Sequence, residues 1–418
     1  MLTLLSNPAQ IITIDTNGKN YKRGKELAEI GLLTNHAIVI EDGIIKEIIK
    51  NNSVAESKFD EIINLKNKII LPGLIDCHTH TVFAGSRADE FKMRLEGKSY
   101  EEISEKGGGI NKTVRVVKNT SYDDLIISSI PKIENAISQG ITSLEIKSGY
   151  GLTFEDEIKM LKVINHLNDI FLIDIIPTFL GAHTFPAEYR EKKDEYVNLI
   201  INEMLPYIAE NKLVKFCDAF CEKTAFSVKQ IDRIFKKASS LGLKLKLHTN
   251  QFNSIGGIKL GLNYNVLSME HLEVINKKDI SKVADSECIC VLLPGVSFFL
   301  NYEYAPAREL IKNNAVVALA TDFNPGSSPI ANINLIMSLA AIKMKMSFEE
   351  IISAFTINAA KALNMSDSVG SIEIGKKADF SIFNTNDYNE IIYNIGINLN
   401  YMTIKNGKVI YKSDRADK

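Results

Sequence analysis

The sequence predicts an α/β fold: a (β/α)8 TIM barrel carrying a small β-sandwich-like domain built from both termini. Three observations predict it. Eight apolar stretches between residues 69 and 322 alternate with amphipathic stretches of helical period. The two ends of the chain have a different texture, short alternating runs broken by glycine turns. Histidines also gather at the ends of the apolar stretches, where such a barrel presents its chemistry.

In chain order, residues 1–68 read as short strands, among them "QIITID" and "HAIVIEDGIIKEII". The Asp42-Gly43 pair between two apolar runs marks a hairpin. The barrel strand candidates are 69–75, 141–147, 171–179, 214–220, 243–248, 266–271, 288–293 and 316–322. Amphipathic stretches at 123–139, 155–168, 227–240 and 331–345 supply helices between them, and the connection after 266–271 is short. A doubly wound open sheet uses the same alternation and is the competing architecture. The tail returns to strands in "GSIEIGKKADFSIFN" and "YMTIKNGKVIYK", broken at Gly375 and at Asn406-Gly407. The expected division is therefore a small domain from 1–68 and 366–418, and a catalytic barrel over 69–365.

Composition narrows the function. Hydrophobic content of 45% and charged content of 24% are ordinary for a globular protein. A formal net charge of -2 lacks the basic excess of a nucleic-acid binder. No stretch approaches the ~20 apolar residues that cross a bilayer. The first residues show no basic segment or small-residue cleavage site, so the cytoplasm is the expected location. The five cysteines, Cys77, Cys217, Cys221, Cys288 and Cys290, are odd in number and scattered, as suits reduced thiols. The pairs Cys217/Cys221 and Cys288/Cys290 have the look of a metal knuckle, but their apolar settings favour buried core thiols.

The strand ends carry the chemistry. The first ends in Asp76-Cys77-His78-Thr79-His80, and residues two apart in an extended segment face the same way. His78 and His80 can therefore aim both imidazoles at one point. The fifth strand ends in His248, the sixth in His271 and the eighth in Thr321-Asp322, while His183 follows the third. Any one of these reads as an ordinary hydrogen-bonded histidine, as His36 and His166 do, but coincidence explains the set poorly. Three imidazoles and a carboxylate suit a borderline cation such as zinc or iron. Such an ion lowers the pKa of bound water to roughly 7 and polarises a carbonyl.

The string "LPGLIDCHTH", a later strand-end histidine, a last-strand aspartate and the tail "GSIEIGKKADF" resemble the amidohydrolase superfamily. "FAGSRADEF" at 83–91, "KSGYGL" at 147–152, "GAHTFP" at 181–186, "EHLE" at 270–273 and "TDFNPGSSP" at 321–329 narrow the resemblance to the imidazolonepropionases, nearly end to end. It implies metal ligands at His78, His80, His248 and Asp322 for one zinc or iron ion. It implies substrate contacts from Arg87, Tyr100, Tyr150 and His183, with Asn324, Gly326 and Ser327 lining the loop after the last strand. The implied reaction is hydrolysis of 4-imidazolone-5-propanoate to N-formimidoyl-L-glutamate, and the family's habit is a homodimer. No nucleic-acid or membrane partner is expected.

The residue types fit that chemistry. Arg87 offers a planar fork for the substrate's propionate, its plainer role being a salt bridge to Asp89 or Glu90. Asp322 suits a base that takes a proton from water and returns it to the departing ring nitrogen. His271 suits a donor to the developing oxyanion or an orienter of the water. Tyr150 and Asn324 either hydrogen-bond the ring or close a loop. After the strand-five histidine the family usually has a carboxylate within three residues. Here the segment is His248-Thr249-Asn250-Gln251, so Gln251 is left to bind the ring as donor and acceptor. Lys246 shares parity with His248 and should point into the barrel, where it needs a partner; Glu145 on the second strand is the expected one.

Three other functions use some of these residues. A nucleobase aminohydrolase would release ammonia from guanine or cytosine, but it has no carboxylate for Arg87 to hold. A hydantoinase-like enzyme would bind two metals per chain. A barrel turned scaffold explains the missing acid at 250–251, yet not the retention of every proposed ligand.

Overall fold

The computed structural model describes residues 1–53, 56–98, 102 and 108–414; Tyr100 lies outside them. Eight strands form one sheet in sequence order, each parallel to the next. They are Leu74–Asp76, Ile141–Lys147, Asp174–Ala182, Phe216–Cys221, Lys244–Thr249, Ser268–His271, Ile289–Leu292 and Val316–Leu319. Unbroken order is what a barrel requires; a doubly wound sheet reverses at a switch point.

The barrel closes through the ends of its first and last strands. The Asp322 amide donates to the His78 carbonyl (3.0 Å), and the His80 amide donates to the Phe323 carbonyl (2.9 Å). Below them Asp76 accepts from the Thr321 amide (3.1 Å) and hydroxyl (2.6 Å). From the other side, the Thr79 carbonyl accepts from the Lys147 amide (2.9 Å) and the Thr79 hydroxyl donates to the Glu145 carbonyl (2.6 Å). The His-Thr-His segment is thus held by both neighbours, with its two imidazoles on one face.

The helices fall where the periodicity puts them: Tyr122–Ser138, Phe154–Ile170, Val228–Ser240 and Ile333–Met344. Each begins behind a capping side chain, Ser121, Thr153, Ser227 or Asn332, that accepts from an amide in the first turn. The short connection after strand six still holds a helix, Lys277–Ala284.

The first and third strands depart furthest from their expected bounds. The apolar run 69–75 is two strands in two sheets: Ile69–Pro72 pairs with Gln10–Ile12 and Phe380–Phe383, while only Leu74–Asp76 joins the barrel. Gly73 makes the transfer, lying so close to strand two that a Cβ there would stand 2.2 Å from the Thr142 hydroxyl. The third strand runs Asp174–Ala182 rather than 171–179, because the preceding helix ends at Ile170 and leaves Phe171–Ile173 as the connection.

The termini build two further sheets. One holds Ile44–Lys50, His36–Glu41, Leu2–Ser6 and Glu61–Asn64; the other holds Lys408–Lys412, Asn400–Lys405, Phe380–Phe383, Ile69–Pro72, Gln10–Ile12 and Leu32–Leu33. Leu5, Ile38 and Ile40 of the first pack in one apolar cluster with Ile11, Ile70, Phe380 and Ile404 of the second. The expected hairpin turn at Asp42-Gly43 (φ 50° and 83°) and the expected break at Asn406-Gly407 (48° and 74°) both have the positive φ of a two-residue loop.

All five cysteines are buried and free. Burial pushes Cys221 and Cys290 up to about 12, so they stay neutral thiols in the core. Among the described residues no cysteine joins a group with metal-binding geometry.

Candidate active site

A cavity of about 390 Å³ opens at the carboxyl ends of the barrel strands, with His80, His248 and Asp322 in its wall. Three imidazole nitrogens from His78, His80 and His248 lie within 4.8 Å of one another. Asp322 Oδ1 sits 3.2 Å from His78 Nε2 and 3.4 Å from His80 Nε2. All four side chains are buried, yet His78 Nε2, His248 Nε2 and Asp322 Oδ1 make no hydrogen bond of proper geometry. Buried polar atoms left this way are costly. A cation between them satisfies all three, so the donor set fits a metal.

The electrostatics suit ligands. Burial pushes His248 down to about 4 against the pull of Asp218, and burial lowers His80 as well, so both rings are neutral donors. Burial also works against a charged His78, but Glu270 and Asp322 outweigh it and push the ring up to about 9. A proton and a metal compete there for one nitrogen. Burial alone would raise Asp322; His78 and His80 hold it well below the usual carboxylate range.

The other expected residues that the structure describes surround this point. Arg87 does form the salt bridge to Glu90, through Nε at 2.8 Å, while Asp89 pairs with Lys112 instead. Arg87 lines the cavity. Gly326 makes room for its guanidinium, since a Cβ there would stand 2.0 Å from Arg87 Nη1. His183 stacks on His80 (centroids 5.2 Å apart, 15° between planes), with Nδ1 3.1 Å from the Gly149 carbonyl. That carbonyl can only accept, so Nδ1 carries the proton and Nε2 offers a lone pair. Burial and the neighbouring His80 and His248 hold His183 well below its ordinary pKa. Tyr150 lies 5.6 Å from both rings, and burial reinforced by Asp322 keeps its phenol protonated.

Asn324 spends its amide on its own loop. Its oxygen accepts from the Gly326 and Ser327 amides (both 2.8 Å), and its nitrogen donates to the Asp322 carbonyl (2.6 Å) and Ser327 hydroxyl (2.9 Å). The Ser327 hydroxyl in turn reaches Asp322 Oδ2 at 3.5 Å. His271 lies with its ring 5.4 Å from that of His248 and takes φ 82°, while Asp322 takes φ 50°. Non-glycine residues at positive φ cost energy and concentrate at functional sites. Gln251 lines the cavity and Asn250 does not.

Residues 69–410 match the amidohydrolase family. The chain is 43% identical to the imidazolonepropionase of Flavobacterium johnsoniae over 98% of its own length and 100% of that relative's. It is also 43% identical to the imidazolonepropionase of Clostridium tetani, covering 98% of each. The chain belongs to the imidazolonepropionases. Among solved structures it resembles a Xaa-Pro dipeptidase with bound methionine (TM-score 0.72, 16% identity, 99% of this chain and 100% of that one). It also resembles a zinc-bound adenosine deaminase from Xanthomonas campestris (TM-score 0.70, 16% identity, 99% and 94% covered). At that identity the likeness shows the shared amidohydrolase fold.

Several residues around this candidate site escaped sequence reasoning because they stand behind its lining. Glu157 accepts from the Gly149, Gly151 and Leu152 amides (3.1, 2.8 and 2.9 Å) and so shapes the loop carrying Tyr150. Glu222 accepts from the Phe252 and Asn253 amides (2.9 and 3.0 Å) and fixes the loop carrying Gln251. Lys246 does reach Glu145, at 2.8 Å to both oxygens. Asp218 and Glu270 stand against the far nitrogens of His248 and His78, at 3.0 and 2.6 Å. Strand alternation puts both inside the barrel, and that was the available signal.

Proposed function

We propose that the chain hydrolyses 4-imidazolone-5-propanoate to N-formimidoyl-L-glutamate at one zinc or iron ion held by His78, His80, His248 and Asp322. The observation that carries it is one cavity holding both a converging histidine-aspartate set and the guanidinium of Arg87. When bound, the ion supplies a polarised ring carbonyl and an acidic water. Arg87, steadied by Glu90, holds the propionate with its two terminal nitrogens. His183 presents an acceptor to a ring N–H, and the Tyr150 phenol presents a donor. Asp322 takes the proton from the attacking water and delivers it to the departing ring nitrogen. His271 donates to the oxygen on which charge develops. Gln251, neutral at every ordinary pH, binds the ring and does not act as a base. Residues 69–365, less the strand Ile69–Pro72 that pairs in the terminal sheet, are the catalytic domain in this proposal, and the working form is a homodimer in the cytoplasm, which sedimentation and fractionation test.

Incubation of purified protein with the substrate should give N-formimidoyl-L-glutamate by mass spectrometry, with one metal per chain by elemental analysis. Ammonia released from guanine or cytosine instead would mark a deaminase, and two metals per chain would mark a hydantoinase-like centre.

A further inference from the structure

Beneath the histidines the barrel interior is charged. Glu145 and Lys147 of strand two, Asp218 of strand four, Lys246 of strand five and Glu270 of strand six are all fully buried. Two ammonium groups thus face three carboxylates, and the lysines share Glu145 and Glu270 while only Lys147 pairs with Asp218. Lys246 takes both Glu145 oxygens (2.8 Å each), Glu270 Oε1 (3.0 Å) and the Cys77 carbonyl (3.2 Å). Lys147 donates to Asp218 Oδ2 (2.8 Å) and Glu270 Oε1 (3.4 Å) and forms ion pairs with Glu145 Oε2 (2.9 Å) and Glu270 Oε2 (3.1 Å).

The atoms matter more than the residues. Asp218 Oδ2 is also the oxygen 3.0 Å from His248 Nδ1. Glu270 Oε2 is also the oxygen 2.6 Å from His78 Nδ1. One ammonium therefore stands within 3.1 Å of the two oxygens that lie behind two of the four proposed ligands. From this shared geometry we infer that Lys147 is a positioning residue for the metal centre. It fixes Asp218 and Glu270, and these fix the rotation of the His248 and His78 rings. This inference rests on the proposed metal site and names what holds that site in shape.

Partners behind a ligating histidine orient the ring, and losing one typically costs 10–100-fold in metal affinity. Removing one member of a buried charge cluster also destabilises the fold. A purely structural lysine would show only the second effect. The test is zinc affinity by competition with a chromophoric chelator, with the melting temperature of the metal-free form measured alongside. Wild type, Lys147→Met, Lys147→Arg, Lys246→Met and Asp218→Asn are compared. Lys147→Met should weaken zinc roughly 10–100-fold and more than Lys246→Met does at a similar loss of melting temperature. Lys147→Arg should recover part of the affinity. If Lys147→Met does not fold, Asp218→Asn breaks the same link from its other end and should weaken zinc likewise. Zinc affinity within twofold of wild type in Lys147→Met, or in Asp218→Asn where only that variant folds, overturns the inference and leaves the metal site standing. A wild-type protein that binds no metal overturns both.

Discussion

At the residue scale, the arrangement of Arg87 sets a clear expectation. Its Nε is occupied by Glu90, which leaves the two terminal nitrogens for a carboxylate in the cavity, and a lysine cannot make the same paired contact. Arg87→Lys should raise KM with little change in kcat, lowering kcat/KM roughly tenfold to a hundredfold, as loss of a charge-assisted hydrogen bond of ~1.5–3 kcal/mol does. Steady-state kinetics separates the two constants. His271 should divide the other way. His271→Gln should keep its metal, shown by elemental analysis, and lose about 100-fold in kcat, the scale of a lost oxyanion donor. A normal kcat in a less stable His271→Gln protein would make the residue structural. The His78/His80 pair was legible because side-chain alternation is a local property of a strand, and Lys246 with Glu145 was legible for the same reason. That one oxygen of Asp218 serves both His248 and Lys147 depends on three strands meeting in space, which no local pattern records.

At the element scale, the seam between strands one and eight does two jobs: it closes the barrel and brings Asp322 against His78 and His80. Asp76 holds this seam from a fully buried position. Burial raises its pKa to about 6 against the hydrogen bonds from Thr321, from an ordinary value of 3.8. Between those two values the folded chain binds a proton that the unfolded chain has lost, so stability falls as pH rises from about 4 to about 6. The shift corresponds to roughly 3 kcal/mol at most. An asparagine at this position can still accept from the Thr321 amide. In metal-free protein, Asp76→Asn should therefore remove this part of the pH dependence, which urea unfolding at pH 4, 5 and 6 would show. An unchanged slope would mean that Asp76 is ionised throughout. Most of the barrel was readable at this scale, because the helix period and the strand-end residues are local signals. The exception, Gly73, shows the limit: an apolar run looks the same whether it stays in one sheet or passes to another.

At the scale of the whole molecule, the terminal sheets are tied to the barrel by charge as well as by apolar packing. Lys405, in the six-stranded sheet, lies 2.5 Å from Asp174 at the start of barrel strand three and 2.6 Å from Asp379. Lys405 and Asp379 are almost wholly buried, so removing the lysine leaves a charge without its partner. Lys405→Met should cost roughly 3 kcal/mol in urea unfolding, within the range for a broken buried pair, while kcat of the folded protein stays the same. That both chain ends build this unit was legible from their shared texture of alternating runs and Asx-Gly turns. How it sits on the barrel was not, because that depends on contacts more than two hundred residues apart in sequence, such as Lys405 with Asp174.

The central claim is that one metal ion in the histidine-aspartate cluster drives opening of a carboxylate-bearing imidazolone ring. The measurement that tests it most directly is turnover of freshly prepared 4-imidazolone-5-propanoate, followed by loss of its absorbance, with metal counted before and after chelation. The expected result is turnover with about one metal per chain, its loss on chelation and its return when zinc or iron is restored. A protein that carries the metal and leaves the substrate untouched would contradict the claim, as would turnover that survives complete removal of the metal.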